Sequence, residues 1–196
     1  MPKTFNPHER EAIKTAMHNT VLTLMKKKNI RQITVDDIAK GANIAKGSFY
    51  SFYKTREEFL WDTIKTEERI MLDEIEQILS EDMIDRPATA RRMFNAYLKK
   101  DDIKFYVSDK DFEYIFRKLP PERLNEDRQN WENAYAMILS HFGHEPSMMN
   151  IEVLCSIIAA VQYAAGTDIP SSDEVRGRVL EVFRDFFAGY LGKGGI

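Results

Sequence analysis

Cysteine is nearly absent from this 196-residue chain, which contains only Cys155. A single cysteine excludes an internal disulfide and suits a reducing compartment. No apolar run is expected to reach the length of a membrane span, and the N-terminal segment MPKTFNPHER lacks the hydrophobic core of a secretion signal. These absences predict a cytoplasmic protein that does not interact with a membrane.

Sequence motifs of catalysis are missing as well. The chain has no glycine-rich phosphate loop, no nucleophile elbow and no Cys-x-x-Cys pair. His141 and His144 lie close together beside Glu145. Gly143 and Pro146, however, place this group at a helix end, where histidine commonly caps carbonyl groups. We therefore expect no catalytic residues, no metal site and no cofactor.

Strand-like alternation, internal repeats and low-complexity tracts are also absent, whereas helical periodicity recurs along the chain. In the first segment, for example, Ile13, Ala16, Met17, Val21 and Leu24 share one helix face. The pattern predicts an all-α fold of about nine helices. An N-terminal three-helix bundle would precede a larger helical body, and the length suffices for a sizeable core.

The net charge of −3 is unevenly distributed. Residues 1–56 contain eleven Lys or Arg against four Asp or Glu, a charge of +7, and the remaining residues carry −10. A basic head on an acidic body is typical of a DNA-reading domain joined to a domain that does not contact DNA.

The segment TVDDIAKGANIAKGSFYSFYK, residues 34–54, predicts two short helices joined by a tight turn. Thr34 precedes the first helix as a hydroxyl N-cap, and Asp37 follows three residues later, as in a capping box. Asn43 in the turn tolerates a left-handed backbone. The second helix is expected from about Ala45 to Phe52. This is the helix-turn-helix pattern, whose second helix can enter the major groove of DNA. A plain helical hairpin inside a bundle is the alternative.

Side chains of the second helix suit contact with DNA. Gly47 weakens a helix but allows a close approach of the backbone. Cations and hydroxyls would bind phosphates, while Ser48 and Phe49 would meet base edges or thymine methyl groups. Phe49 can also pack inward. The predicted DNA-binding residues are Thr34, Lys46, Gly47, Ser48, Phe49, Tyr50, Tyr53 and Lys54.

This segment resembles the DNA-binding core of the TetR (tetracycline-repressor-like) family of transcription regulators. The resemblance runs from about Ile13 to Phe59 and includes I-x-x-A-M in the first helix and K-T-R-E-E-F at the start of the fourth. Asn29 and Asn43 stand where glycine is common in the family, a mild change because Asn tolerates the left-handed region. Ala45 replaces the usual serine cap of the recognition helix. The resemblance implies a DNA-binding domain over residues 1–54 and an effector-binding and dimerisation domain over residues 55–196.

The last two predicted helices carry apolar residues on more than one face, so each must be buried on several sides. Two such helices from each of two subunits would form an intermolecular four-helix bundle. A central position within a single domain is the alternative, and the resemblance favours a homodimer.

The resemblance also implies a pocket for a small-molecule effector. Aromatic side chains of the body suit an apolar pocket, but they suit an ordinary helix-packing core equally well. The candidate ligand-binding residues are Phe94, Tyr97, Phe112, Phe116, Trp131 and Tyr135.

Taken together, these features predict a ligand-responsive repressor that binds double-stranded operator DNA as a homodimer and that a small-molecule effector releases. The alternative is a constitutive DNA-binding protein with a purely structural dimerisation domain. Binding of an effector by the body would separate the two.

Overall fold

The computed structural model of the chain describes residues 5–81, 85–98, 107–166 and 172–193. Within these ranges every regular element is helical and there is no strand, which confirms the all-α prediction. A 3₁₀ turn, Ile30–Gln32, lies between the first two helices. The described residues form nine α-helices: α1 (Pro7–Met25), α2 (Val35–Gly41), α3 (Lys46–Phe49), α4 (Arg56–Ser80), α5 (Arg86–Tyr97), α6 (Asp109–Phe116), α7 (Pro121–His141), α8 (Met148–Gly166) and α9 (Asp173–Gly192).

The chain divides into two compact units. Unit 1 comprises residues 1–68 and 106–120, and unit 2 comprises residues 69–105 and 121–196. Unit 1 therefore contains α1 to α3, the first half of α4, and α6. The division falls inside α4 rather than between residues 54 and 55. The assignment of DNA binding to residues 1–54 and of effector binding and dimerisation to residues 55–196 stays a prediction.

Capping side chains define the helix starts of unit 1. Thr34 and Asp37 form the predicted reciprocal capping box at the start of α2, and Ser108 with Asp111 forms another at the start of α6. At α4, the Glu58 amide donates to Thr55 Oγ1 at 3.1 Å, and the Thr55 amide donates back to Glu58 Oε2 at 3.4 Å. Each box satisfies backbone amides that a helix start leaves without an intrahelical partner.

The turn between α2 and α3 confirms one asparagine prediction, and the end of α1 contradicts the other. Asn43 adopts φ 55°, in the left-handed region. Asn29 has φ −58° instead, and its side chain accepts a hydrogen bond from the Arg31 amide. Asn29 thus caps the 3₁₀ turn, because a capping oxygen, not a left-handed backbone, is what that position requires.

Helix α3 is shorter than the predicted range of residues 45–52. Ala45 is its N-cap and provides no side-chain hydrogen bond, as its methyl group dictates. After Phe49 the chain continues in hydrogen-bonded turns, with Ser51 N donating to Ser48 O at 3.1 Å and Phe52 N to Phe49 O at 2.9 Å.

Unit 1 is built around an apolar core shared by its helices. The fully buried residues include Met17 of α1, Ile38 of α2 and Phe49 of α3. The ring of Phe49 meets that of Phe59 edge to face, with centroids 5.6 Å apart. Helices α1 and α2 approach so closely that a Cβ at Gly41 would collide with Thr20. This packing holds α2 and α3 in a fixed arrangement.

Unit 2 has its own core, in which α9 packs on both α5 and α8, and α7 packs on α8. Its most deeply buried residues include Ala90, Leu139, Phe142, Leu154 and Leu191. In contrast, α8 and α9 leave several large apolar side chains exposed.

Helix α8 is long and apolar enough, by length and composition, to cross a membrane. Its window Met148–Ala165 has a mean hydropathy of 1.5 over 18 residues, and 22% of it is buried. The expectation that no apolar run reaches this length is therefore wrong for α8. Core helices of soluble proteins have the same properties, so the finding is weak evidence for a membrane.

Candidate nucleic-acid interface

The exposed residues of α3 and its flanking turns include cations, hydroxyls and a glycine. Lys46, Gly47 and Lys54 are exposed, Ser48 is half-buried, and Tyr50 is 53% exposed. The ring of Tyr50 stands edge to face against Phe49, with centroids 5.4 Å apart. Cations and hydroxyls on a short helix are the groups that bind DNA phosphates and base edges.

Gly47 occupies open space. A Cβ built at this position would meet no heavy atom within 4 Å. Packing within the protein therefore does not require glycine here, although glycine in a helix costs roughly 1 kcal/mol relative to alanine. The backbone at Gly47 is therefore open to the close approach of another molecule.

Lys46 at the start of α3 pairs with Asp36 in the first turn of α2. The distance from Lys46 Nζ to Asp36 Oδ2 is 2.6 Å, and both side chains are exposed. The hydrogen bond that Lys46 donates to Asp36 raises the pKa of the Lys46 ammonium. A phosphate that binds Lys46 would have to compete with this carboxylate.

Thr34 is held in place at the N-terminus of α2. Its hydroxyl donates to Asp37 Oδ2 at 2.7 Å and accepts from the Asp37 amide at 3.2 Å. Lys28 Nζ also donates to Asp37 Oδ2, at 2.7 Å. The hydrogen bond from Lys28, followed by those from Thr34, lowers the pKa of Asp37. The carboxylate is therefore ionised at neutral pH and fixes the exposed Thr34 side chain.

Two of the predicted DNA-binding residues support the interface from within. Phe49 is 0% exposed, so its ring presents no surface to a base in this conformation. Tyr53 is half-buried, and its hydroxyl donates to Asp62 Oδ2 at 2.7 Å. Burial, followed by the hydrogen bond with Asp62, raises the pKa of Tyr53.

Two arginines missed at the sequence level fix the backbone around the interface. Arg10 of α1 donates to the Ser51 carbonyl at 3.0 Å and places its guanidinium 4.4 Å from the ring centroid of Phe52. Arg56 of α4 donates to the carbonyls of Arg31, at 3.0 Å, and Ile33, at 2.8 Å. Arg56 belongs to the K-T-R-E-E-F motif, which was its only sequence signal.

The candidate ligand-binding residues fall in both units. Phe112 and Phe116 belong to unit 1, where Phe116 contacts Trp61 with ring centroids 5.2 Å apart. The other four belong to unit 2. There the rings of Trp131 and Tyr135 stack at 5.4 Å, and Tyr97 is partly buried against the core.

Two of the cavities that described residues line lie on unit 2, and none of these six residues belongs to either lining. One, of about 400 Å³, lies between α4 and α5 beside the ion pair of Arg92 with Glu81. The other, an apolar groove of about 460 Å³, lies between α8 and α9. Its lining residues are Met149, Glu152, Val153, Ser156, Ile157, Ala160, Phe183 and Phe186.

Two helices joined by a left-handed turn, the second of which exposes Lys46 and Gly47, form a helix-turn-helix, a unit by which proteins bind DNA. Residues 21–61 match the sequence pattern of the family described as bacterial regulatory proteins, tetR family. The match covers the helix-turn-helix segment of the chain, and it supports a DNA-binding transcription regulator of the TetR family. No curated protein matches the chain.

Proposed function

We propose that this protein is a cytoplasmic, ligand-responsive repressor that binds operator DNA as a homodimer. It leaves the operator when a small molecule binds its helical body, and it has no enzymatic activity. The observation that carries the DNA-binding part is the α2–α3 surface, where open space at Gly47 adjoins exposed cations and hydroxyls. The family match supports the same conclusion independently.

The proposed roles at the interface follow from exposure. Lys46, Tyr50, Lys54 and Thr34 contact phosphates and set the position of α3 on the duplex. Ser48 and the backbone at Gly47 meet base edges in the major groove. Phe49 and Tyr53 support this surface from inside the protein, because Phe49 is buried and the Tyr53 hydroxyl donates a hydrogen bond to Asp62.

The proposed homodimer is supported by the apolar outer face of α8 and α9. Met149 is 75% exposed, Val182 is 70% exposed and Phe186 is 57% exposed. Apolar surface of this kind, rimmed by polar residues, marks a protein interface. A second copy of the same face would fill the groove and give the isologous contact of a twofold dimer. The exposed apolar residues of this face are Met148, Met149, Val153, Tyr163, Val175, Val182 and Phe186.

The proposed effector is a small, largely apolar molecule that binds in unit 2 near the Trp131–Tyr135 stack. Both rings are partly buried, and Tyr97 and Phe94 belong to the same unit. An effector releases DNA only if it binds the DNA-free state more tightly, and a hundredfold loss of DNA affinity needs roughly 2.7 kcal/mol of coupling.

The experiment has two stages. DNA fragments selected by the purified protein from its source genome identify the operator, and a ligand screen by Trp131 fluorescence follows. Trp61→Phe removes the second indole, which is buried in unit 1. By reciprocity, operator DNA should weaken the binding of a true effector by the same factor as the effector weakens operator binding.

Ligands whose affinity is indifferent to operator DNA would contradict the switch. They would leave the second candidate function, a constitutive DNA-binding protein whose α8–α9 face serves only for dimerisation. The observation that favours this candidate is the lining of the two cavities described above, between α4 and α5 and between α8 and α9, which lacks the predicted aromatic residues.

A further inference from the structure

A buried carboxylate on α6 holds the segment that leads into the helix-turn-helix. We name residues 26–34, between α1 and α2, the connector. Asp111 of α6 is 1% exposed, and its Oδ1 accepts a hydrogen bond from Nε of Arg31 in the connector at 2.7 Å. Its Oδ2 accepts from Nδ2 of Asn29 at 3.2 Å. These contacts join positions 80 or more residues apart in the sequence.

The same carboxylate also caps its own helix. Oδ2 of Asp111 accepts from the Ser108 hydroxyl at 2.6 Å and from the Ser108 amide at 3.0 Å. One side chain therefore fixes both the start of α6 and the connector. A buried carboxylate is tolerated only when it is paired and hydrogen-bonded, and Asp111 meets both conditions.

A second contact of α6 reaches the same connector through Arg56. The hydroxyl of Tyr114 accepts from an Nη of Arg56 at 2.7 Å and donates to Glu57 Oε1 at 3.0 Å. Arg56 in turn holds the carbonyls of Arg31 and Ile33. Ile33 directly precedes Thr34, the N-cap of α2 and a proposed phosphate contact. The backbone entering α2 is therefore fixed by groups outside residues 1–54.

We infer that Asp111 is a positioning residue for DNA binding, so that α6 forms part of the DNA-reading structure. This inference rests on the proposed function. Asp111 does not touch DNA in this account; it acts through Asn29 and Arg31 on the start of α2. Networks of buried polar groups commonly specify one geometry, because each member is costly to leave unpaired. Loss of the carboxylate would release the connector and misplace Thr34.

The direction in which DNA affinity changes when Asp111 is replaced makes the inference testable. Removing a negative charge from a DNA-binding protein strengthens its attraction to the phosphates, if charge alone matters. Loss of positioning acts in the opposite direction. Asp111→Asn removes a negative charge and the positioning contacts at the same time. Glu113→Gln removes a charge alone and is the matched control, because Glu113 is exposed on the same helix and pairs with the nearby Arg117 at 3.3 Å.

The experiment measures binding of the full-length variants to a random-sequence DNA duplex by fluorescence anisotropy at several salt concentrations, with circular dichroism as the folding control. We expect Glu113→Gln to bind as tightly as the wild type or more tightly. Asp111→Asn should keep its helical signal yet lose about tenfold in affinity, comparable to one hydrogen bond to a charged group. Its salt dependence should stay near that of the wild type, because the misplaced Thr34 contact is a neutral hydroxyl that releases no counterion.

Asp111→Asn binding as tightly as Glu113→Gln would show that the carboxylate serves stability alone and would overturn the inference. If Asp111→Asn loses its helical signal, the inference is tested instead with Tyr114→Phe, by the same measurements of DNA affinity and circular dichroism. This variant keeps the charge of the protein and the aromatic ring but lacks the hydroxyl. We expect it to bind DNA about threefold more weakly than the wild type. Unchanged DNA binding would show that the hydroxyl has a purely structural role. A wild-type protein that binds no DNA would instead overturn the proposed function, and this inference with it.

Discussion

A substitution at Gly47 should change the stability of the fold and the affinity for DNA in opposite directions. Because a Cβ there meets nothing within 4 Å, Gly47→Ala should stabilise the fold by roughly 0.5–1 kcal/mol. If the backbone at this position lies against DNA, the same methyl group should weaken DNA binding at least tenfold. Chemical denaturation and fluorescence anisotropy measure the two effects.

Gly177→Ala in α9 is the control for this change, since its Cβ would also meet nothing within 4 Å. It should raise stability without changing DNA affinity. Equal DNA affinity for Gly47→Ala and the wild type would contradict the close approach at Gly47.

Asp36 is expected to moderate DNA binding through Lys46. The exposed pair contributes little to stability, so its removal should leave the fold intact. Asp36→Asn frees the ammonium for a phosphate, and affinity for random DNA should rise about fivefold with a salt dependence steeper by about one log–log unit.

The same Asp36→Asn change in a Lys46→Met background is the control, and it should have a clearly smaller effect. Equal gains in both backgrounds would mean that Asp36 repels DNA directly rather than by holding Lys46.

At the scale of the element, the starts of α2 and α6 make the fold sensitive to acid. Burial alone would raise the pKa of Asp111, but hydrogen bonds from Ser108, Asn29 and Arg31 outweigh it and the pKa is lowered. The pKa of Asp37 is also lowered, first by its hydrogen bond with Lys28. Carboxyls with a lowered folded-state pKa stabilise the fold above their unfolded pKa of about 3.9, and this stability is lost as pH falls.

Urea denaturation between about pH 3 and pH 7 checks this prediction. The free energy of unfolding should fall steeply below about pH 4 to 5 in the wild type and less steeply in Asp37→Asn. Parallel pH profiles for the two proteins would show that Asp37 does not contribute.

The helix starts were largely predictable from sequence, because capping is a local interaction. Thr34 and Asp37, like Ser108 and Asp111, lie three residues apart, and each pair forms the box that its residue types predict. The length of α3 was less predictable, since turns and helix share the same local hydrogen bonds over residues 50–52.

The contacts of α6 with the connector were not predictable. Asp111 carried the signal of a capping residue, and nothing in the sequence indicates that its carboxylate also reaches Asn29 and Arg31. Lys46 was correctly predicted as exposed, but its pairing with Asp36 depends on the tertiary arrangement of α2 and α3. Likewise, the aromatic content of the body indicates these six residues without separating Phe112 and Phe116, which lie in unit 1, from the four in unit 2.

At the scale of the whole molecule, the α8–α9 face predicts a dimer. Phe186→Glu places a charge in the proposed interface. The wild type should sediment as a dimer at micromolar concentration, and this variant should sediment as a monomer. Because Phe186 is 57% exposed in the single chain, the change should not unfold it.

Ile70→Glu is the matched control, since Ile70 of α4 is 55% exposed and lies outside this face. It should remain dimeric. A monomeric wild type, or a Phe186→Glu variant that stays dimeric, would contradict the proposed interface.

The central claim is that the α2–α3 surface binds DNA, and the most direct test is the salt dependence of DNA affinity for the wild type and Lys54→Ala. We predict that the wild type prefers its selected genomic fragment over random DNA by about a thousandfold or more. Lys54→Ala should weaken binding to both DNAs by a similar factor and reduce the log–log slope by about one, because one phosphate contact is lost. A wild type that binds neither DNA, or a Lys54→Ala variant with unchanged affinity and slope, would contradict the account.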